Sequence, residues 1–390
     1  MPTLFSYGFR PFFLAGSVWA AVSIFLWIPQ YFGEFMLTTA LAPRDWHVHE
    51  MLYGYLAAVI AGFLLTAIPN WTGRLPVAGL PLAALVAIWV AGRVAMLLPP
   101  SLGAAAAAAI DIAFLVALAA VALREVVAGR NWRNLRVLGV LLVLIGGNVV
   151  FHAEAAISGA ADYGIRIGIA AAIGLIMLIG GRIVPSFTHN YLRRLAAQGI
   201  PGRLPQSFSR YDAASILCAA AALFAWVVSP LSPAAGALLI LAGVLQAIRL
   251  ARWAGDRTLS DRLVLALHVG YGFIPLGLFL IGLASMRPDL ISPSAGVHAW
   301  MVGAVGTMTM AVMTRATLGH TGRPLAASRA TEALYALVVI AALARVASSF
   351  AYPELLLHVA AFAWFGAFGG FALVYGPMLL RVSRSASNQC

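Results

Sequence analysis

The chain reads as an all-α polytopic membrane protein of about twelve transmembrane helices, and three observations predict it. Hydrophobic residues make up 62% and charged residues only 10% of 390 residues, and the mean hydropathy is +0.92, values outside the range of soluble domains. Apolar stretches of roughly 18 to 25 residues, long enough for a bilayer core of about 30 Å, recur from end to end. All 25 basic residues are arginine, and they gather between alternate stretches.

Taken in order, the expected spans are 12–32, 46–69, 77–98, 102–123, 137–158, 165–186, 212–229, 233–252, 262–284, 295–316, 331–351 and 355–380, each bounded by Pro, Gly or charged clusters. They form one transmembrane domain, 1–390. Ala40-Leu41-Ala42 has the form of a signal-peptidase site, but the apolar run before it is too long for a signal peptide, so the first span is read as uncleaved. With the N-terminus inside, 20 arginines from Arg10 to Arg384 lie on the cytoplasmic side and 3, Arg44, Arg166 and Arg287, on the outer side. This positive-inside asymmetry predicts cytoplasmic N- and C-termini in a bacterial inner membrane, and it explains the net charge without a nucleic-acid partner. The two cysteines, Cys218 and Cys390, form no framework or CxxC site, so any metal falls mainly to His, Met or carboxylate. Phosphate loops and the HExxH motif are absent.

An internal repeat is visible in the rare polar residues. His49 precedes Thr72-Gly73-Arg74 by 23 residues, and His298 precedes Thr321-Gly322-Arg323 by the same 23. Gly92-Arg93-Val94-Ala95 matches Ala344-Arg345-Val346-Ala347, so the offsets are 249 and 252 residues. Three units of four helices, 1–130, 131–257 and 258–390, are therefore expected.

Histidine is costly in hydrocarbon unless something uses it. Counted inward from the expected span ends, His47, His49, His152, His298 and His358 share the outer layer with Glu50, Glu154, Arg93 and Arg345. Imidazoles ligate heme iron and copper, and the carboxylates offer acceptors for the second ring nitrogen. Asn148 and His152, four apart on a helix, face the same way. The arginines suit heme propionates or snorkel outward. Met308, Met310 and Met313 are copper-capable thioethers or core fillers. Asp111, placed mid-span, is a separate candidate for proton or substrate handling. His189 and His320 lie at the inner interface and His268 about two turns inside span 9, as interfacial anchors or a second metal site.

Three segments then carry a family likeness: Gly8-Phe9-Arg10-Pro11-Phe12-Phe13-Leu14, Trp46-His47-Val48-His49-Glu50-Met51-Leu52-Tyr53-Gly54, and Gly62 to Gly73 with its Pro69-Asn70-Trp71-Thr72 end. They closely resemble the signature of the NnrS family, polytopic bacterial membrane proteins that bind heme and copper and are linked to nitric-oxide metabolism and stress. The resemblance implies heme b and copper as cofactors, nitric oxide as ligand or substrate, and a quinol or external electron donor. His47, His49 and Glu50 match the family motif directly. A more distant likeness, to the catalytic subunits of heme-copper oxidases and nitric-oxide reductases, covers the twelve spans and the histidines of spans 2 and 10. The chain departs from it in lacking paired histidines in span 7 and a His-Pro-Glu motif.

The resulting expectation is a redox enzyme that removes nitric oxide at an outer-side heme, with His49 and His298 as heme ligands, Arg93 and Arg345 beside the cofactor, His47, His152 and His358 as further metal ligands, and Glu50, Glu154 and Asp111 as catalytic groups. A metal, heme or small-solute carrier and a non-turnover nitric-oxide sensor or maturation factor are the alternatives.

Overall fold

Apolar runs become helices here because backbone in hydrocarbon must satisfy its own N–H and C=O groups. The computed structural model describes residues 3–381, so Arg384 and Cys390 lie outside the described residues. Among the described residues there are twelve apolar helices and no strand. They are α1 Phe9–Tyr31, α2 Pro43–Thr72, α3 Leu80–Ala95, α4 Ala104–Ala128, α5 Trp132–Ser158, α6 Tyr163–Ala197, α7 Arg210–Val228, α8 Pro233–Ala251, α9 Arg262–Met286, α10 Pro293–His320, α11 Arg329–Ala347 and α12 Pro353–Leu380. The chain is an all-α, multi-pass membrane protein.

Eleven helices are long and apolar enough to cross a membrane, while α3 has 16 residues. At about 1.5 Å per residue it is shorter than a bilayer core. The expected span 77–98 loses both ends because Pro76 and Gly79 precede the helix and Pro99 follows it. α6 runs the other way, reaching Ala197 over 35 residues. Its added turns carry Arg193 and Arg194, outside the apolar pattern used to place its end.

Helix ends follow local chemistry. Pro43 and Pro293 sit in the first turns of α2 and α10, where a missing N–H costs nothing. Gly73, with φ of 69°, closes α2 in the left-handed region. Ser209 and Asp212 form a capping box at α7. Arg10 is buried and donates to the carbonyls of Leu379 at 2.7 Å and Arg381 at 2.8 Å, capping the end of α12. It is thus a helix-end ligand as well as a marker of sidedness.

Three helices contain π-helical turns: Glu50–Leu56 in α2, Ile176–Gly180 in α6 and Ala299–Gly306 in α10. A π turn shifts the register of side chains and releases a carbonyl from the ordinary ladder. In α2 the Trp89 indole donates to Gly54 O at 3.0 Å, and in α6 Arg249 donates to Met177 O at 3.2 Å.

Two compact units are present. The first comprises the described chain up to Ala171, Met313–Pro324 and the described residues from Phe368 onward; the second comprises Ala172–Val312 and Leu325–Ala367. In the first unit α1 packs on α2, α2 and α3 on α4, and α4 on α5. In the second α7, α8, α9 and α10 pack in sequence, with α11 against the π turn of α10. The second unit holds a buried polar network in which Arg249 meets Asp212 at 3.2 Å and Tyr271 Oη at 2.7 Å, and Tyr271 donates to Gln246 at 2.7 Å. Every link is internal, so this network ties α7, α8 and α9 together.

Candidate functional site

His49 ends the α-helical first turns of α2, and Glu50 opens the π turn. The wide turn lets two consecutive side chains share one buried space. His49 Nδ1 lies 2.8 Å from Glu50 Oε1 and both side chains are fully buried. From α3, Arg93 donates through Nη1 to Glu50 Oε2 at 2.6 Å and through Nη2 to Asp111 Oδ1. Trp19 of α1 donates its indole N–H to Glu50 Oε2 at 2.7 Å.

Asp111 of α4 is the centre. Its Oδ2 lies 3.1 Å from His49 Nε2, 3.1 Å from His152 Nε2 and 2.8 Å from Asn148 Nδ2. Asn148 and His152 come from the same face of α5, as their four-residue spacing requires. Phe151 and Tyr53 pack on the His49 ring, and the Tyr53 hydroxyl donates to Gly164 O at 2.8 Å. Two glycines make the approach possible. A Cβ on Gly54 would lie 2.5 Å from Arg93 Nη1 and 3.0 Å from Glu50 Oε2, and a Cβ on Gly92 would lie 3.3 Å from Asp111.

The remaining expected residues go elsewhere. His47 stacks on Trp27 with ring centroids 4.1 Å apart. Glu154 accepts from the backbone N–H groups of Tyr163 at 3.1 Å and Gly164 at 2.7 Å, tying down the start of α6. His298 turns Nδ1 to Ser294 O at 2.8 Å, and Arg345 donates to the hydroxyls of Ser294 at 2.9 Å and Ser348 at 3.0 Å. His358 turns Nδ1 to Glu354 O at 2.8 Å. Met308 and Met310 are buried packing residues of the second unit and Met313 of the first.

The structure thus gathers His49, Glu50, Arg93, Asp111 and His152 into one cluster, and adds Trp19 and Asn148. Asp111 belongs with the histidines because α4 starts at Ala104. That puts it seven residues in, about the depth of His49 in α2. A count from the helix start at Gly103 could have found this; a count from the span centre hides it. Trp19 carries no signal beyond being an indole in an apolar helix.

The hydrogen-bond inventory shows what the cluster can hold. A neutral imidazole has one N–H, yet both nitrogens of His49 face carboxylates. The pair is satisfied by a second ring proton, by a protonated carboxyl, or by a metal ion on one ring nitrogen. His49, Asp111 and His152 each offer a ligand atom, all within 4.8 Å of one another. Two carboxylates against one guanidinium also leave a negative charge for a cation to offset in low dielectric. With a metal on the Asp111 side, Glu50 would accept from His49 Nδ1–H, the usual second partner of a ligating histidine. Asn148 Oδ1 is buried with no hydrogen-bond partner among the described residues, so Asn148 holds Asp111 through its amide nitrogen alone. A single transition-metal ion fits this donor set.

A heme does not fit this cluster. Arg93 is already committed to two carboxylates, and His49 can present an axial nitrogen only by releasing one of them. The cavity that reaches His152, lined also by Leu41, Met96, Leu102, Ala107 and Ala156, is about 40 Å³. It admits water or a diatomic molecule, not a porphyrin.

The family described as NnrS protein matches residues 3–383, nearly the whole chain. No curated protein matches its sequence.

Proposed function

We infer the function from one premise: the chain belongs to the NnrS family and is a membrane protein related to nitric oxide. From that premise we propose that it binds one redox-active transition-metal ion, copper, at His49, Asp111 and His152 and removes nitric oxide there. The observation that carries this reading is His49 held between Glu50 and Asp111, with His152 on the same Asp111 oxygen. Two imidazoles and a carboxylate suit copper(II), and they suit iron(II) as well, so elemental analysis names the metal.

A redox metal held by His49, Asp111 and His152 would supply electron transfer and bind a diatomic ligand. The protein supplies everything else. Glu50 fixes the His49 ring, Asn148 fixes Asp111, and Arg93 spans both carboxylates so that neither turns away. The narrow, largely apolar cavity beside His152 favours small uncharged ligands. The balanced reduction takes two nitric oxide molecules, two electrons and two protons to nitrous oxide and water, with a quinol or a separate redox protein as donor. The arginine asymmetry supports an inner-membrane location with cytoplasmic termini and the cluster toward the outer side. If the protein also carries heme b, its ligands come from outside this cluster, and His298 is the first candidate.

Purified protein is expected to contain one copper per chain and to consume nitric oxide when given a reduced quinol. His152→Ala should abolish both. A metal-loaded protein that binds nitric oxide without consuming it would reject the enzyme reading in favour of a sensor or carrier. A Soret band that survives His49→Ala supports heme ligation elsewhere, and one that disappears contradicts it.

A further inference from the structure

A second polar site lies in the first unit where α2, α3 and α4 end or begin, independent of the metal cluster. Gly73 turns the chain out of α2 and places Arg74 beside the last turns of α4. Arg74 Nε meets Glu125 Oε2 at 2.6 Å, and Arg124 Nη2 meets Glu125 Oε1 at 2.7 Å. Glu125 is buried, with its side chain 5% exposed, whereas the two arginine side chains are 46% and 63% exposed. One carboxylate cannot neutralise two guanidinium groups. The pair keeps a net positive charge, with both Nη groups of Arg74 uncommitted among the described residues.

These groups line an open surface cleft of about 560 Å³ whose other walls include Pro76, Val77 and Pro81. It is large enough for a phosphate-bearing headgroup. Its surroundings are those of a membrane interface. Leu75 and Leu80 are 88% and 83% exposed, and Trp132 is 59% exposed at the start of α5. The loop before it is fastened to α2 by Asn131, which donates to Trp71 O, and the exposed Arg130 of the loop and Arg133 of α5 add positive charge. A cationic cleft rimmed by exposed leucine and tryptophan matches a ligand with an anionic head and acyl chains.

We propose that Arg74 and Arg124, oriented by the buried Glu125, form a binding site for the phosphate group of an anionic phospholipid. Each guanidinium keeps one edge on Glu125 and turns its free donors to the phosphate, the planar bidentate geometry that distinguishes arginine from lysine.

The test is native mass spectrometry of the full chain released from nanodiscs made of equal parts phosphatidylglycerol and phosphatidylcholine. The wild type should retain phosphatidylglycerol selectively, and Arg74→Gln with Arg124→Gln should lower that retention about tenfold. Where that variant fails to fold, Arg74→Lys with Arg124→Lys keeps the charge and should still lose selectivity through the lost bidentate contacts. Equal retention of the two lipids by the wild type, or unchanged selectivity in the variant that folds, would overturn the proposal. Inorganic phosphate that displaces phosphatidylglycerol at matched concentration would identify a soluble anion as the ligand and overturn the lipid assignment.

Discussion

In α2 the histidine before the π turn, His49, is fully buried between Glu50 and Asp111, whereas in α10 the histidine in the same relation, His298, is half-buried and bonded to the Ser294 carbonyl. At the proposed offset of 249 residues, Glu50 corresponds to Ala299, Asp45 to Ser294 and Gly54 to Gly303. Arg93 grips two carboxylates, while Arg345 donates to two serine hydroxyls. Gly54 makes room for Arg93, Glu50 and Trp19; Gly303 makes room for the ring of Phe273. The same helix-and-π arrangement thus carries an ion-paired cluster in one place, and in the other an arginine bonded to hydroxyls beside a glycine packed on an aromatic ring. The difference lies in the carboxylates: Glu50 and Asp111 flank His49, whereas His298 turns to the Ser294 carbonyl.

The largest expected difference between these two regions lies in their arginines. Arg93→Ala strands two buried carboxylates and should cost about 3 to 5 kcal/mol of stability. Arg345→Ala removes two hydroxyl contacts at a half-buried position and should cost about 1 kcal/mol. Thermal unfolding of both variants in detergent checks this, and equal losses would erase the contrast.

Next in size is Gly54→Ala. Its methyl group would press on Arg93 and Glu50, and a cost of about 1 to 3 kcal/mol with reduced metal content is expected. Gly303→Ala should cost a similar amount by pressing on Phe273, yet leave metal content per folded chain unchanged. Elemental analysis beside thermal unfolding separates the two effects. The smallest change is expected from Glu154→Gln. This group caps backbone N–H groups of the α6 start, so about 1 kcal/mol of stability should go while the metal stays.

The number and order of the helices are legible in the sequence because hydrocarbon dictates length, and Pro, Gly and Arg mark the ends. The ends of α3 and α6 are less legible, since proline shortens one and an amphipathic, arginine-bearing extension lengthens the other. Within the site, His49, Glu50, Arg93 and His152 stand out as expensive intramembrane polar groups. Asp111 stands out too, yet its partnership with His49 depends on where α4 begins. Glu154 looks the same as Glu50 in sequence, but its backbone partners exist only once α5 and α6 turn back on each other. The π turn that brings His49 and Glu50 together has no marker in composition or periodicity.

Electron paramagnetic resonance of the copper(II)-loaded protein tests the central claim most directly. The cluster predicts hyperfine coupling from two imidazole nitrogens, one lost in His152→Ala and both kept in His298→Ala. A spectrum unchanged by His152→Ala, or altered by His298→Ala, would contradict a metal centre built on His49, Asp111 and His152.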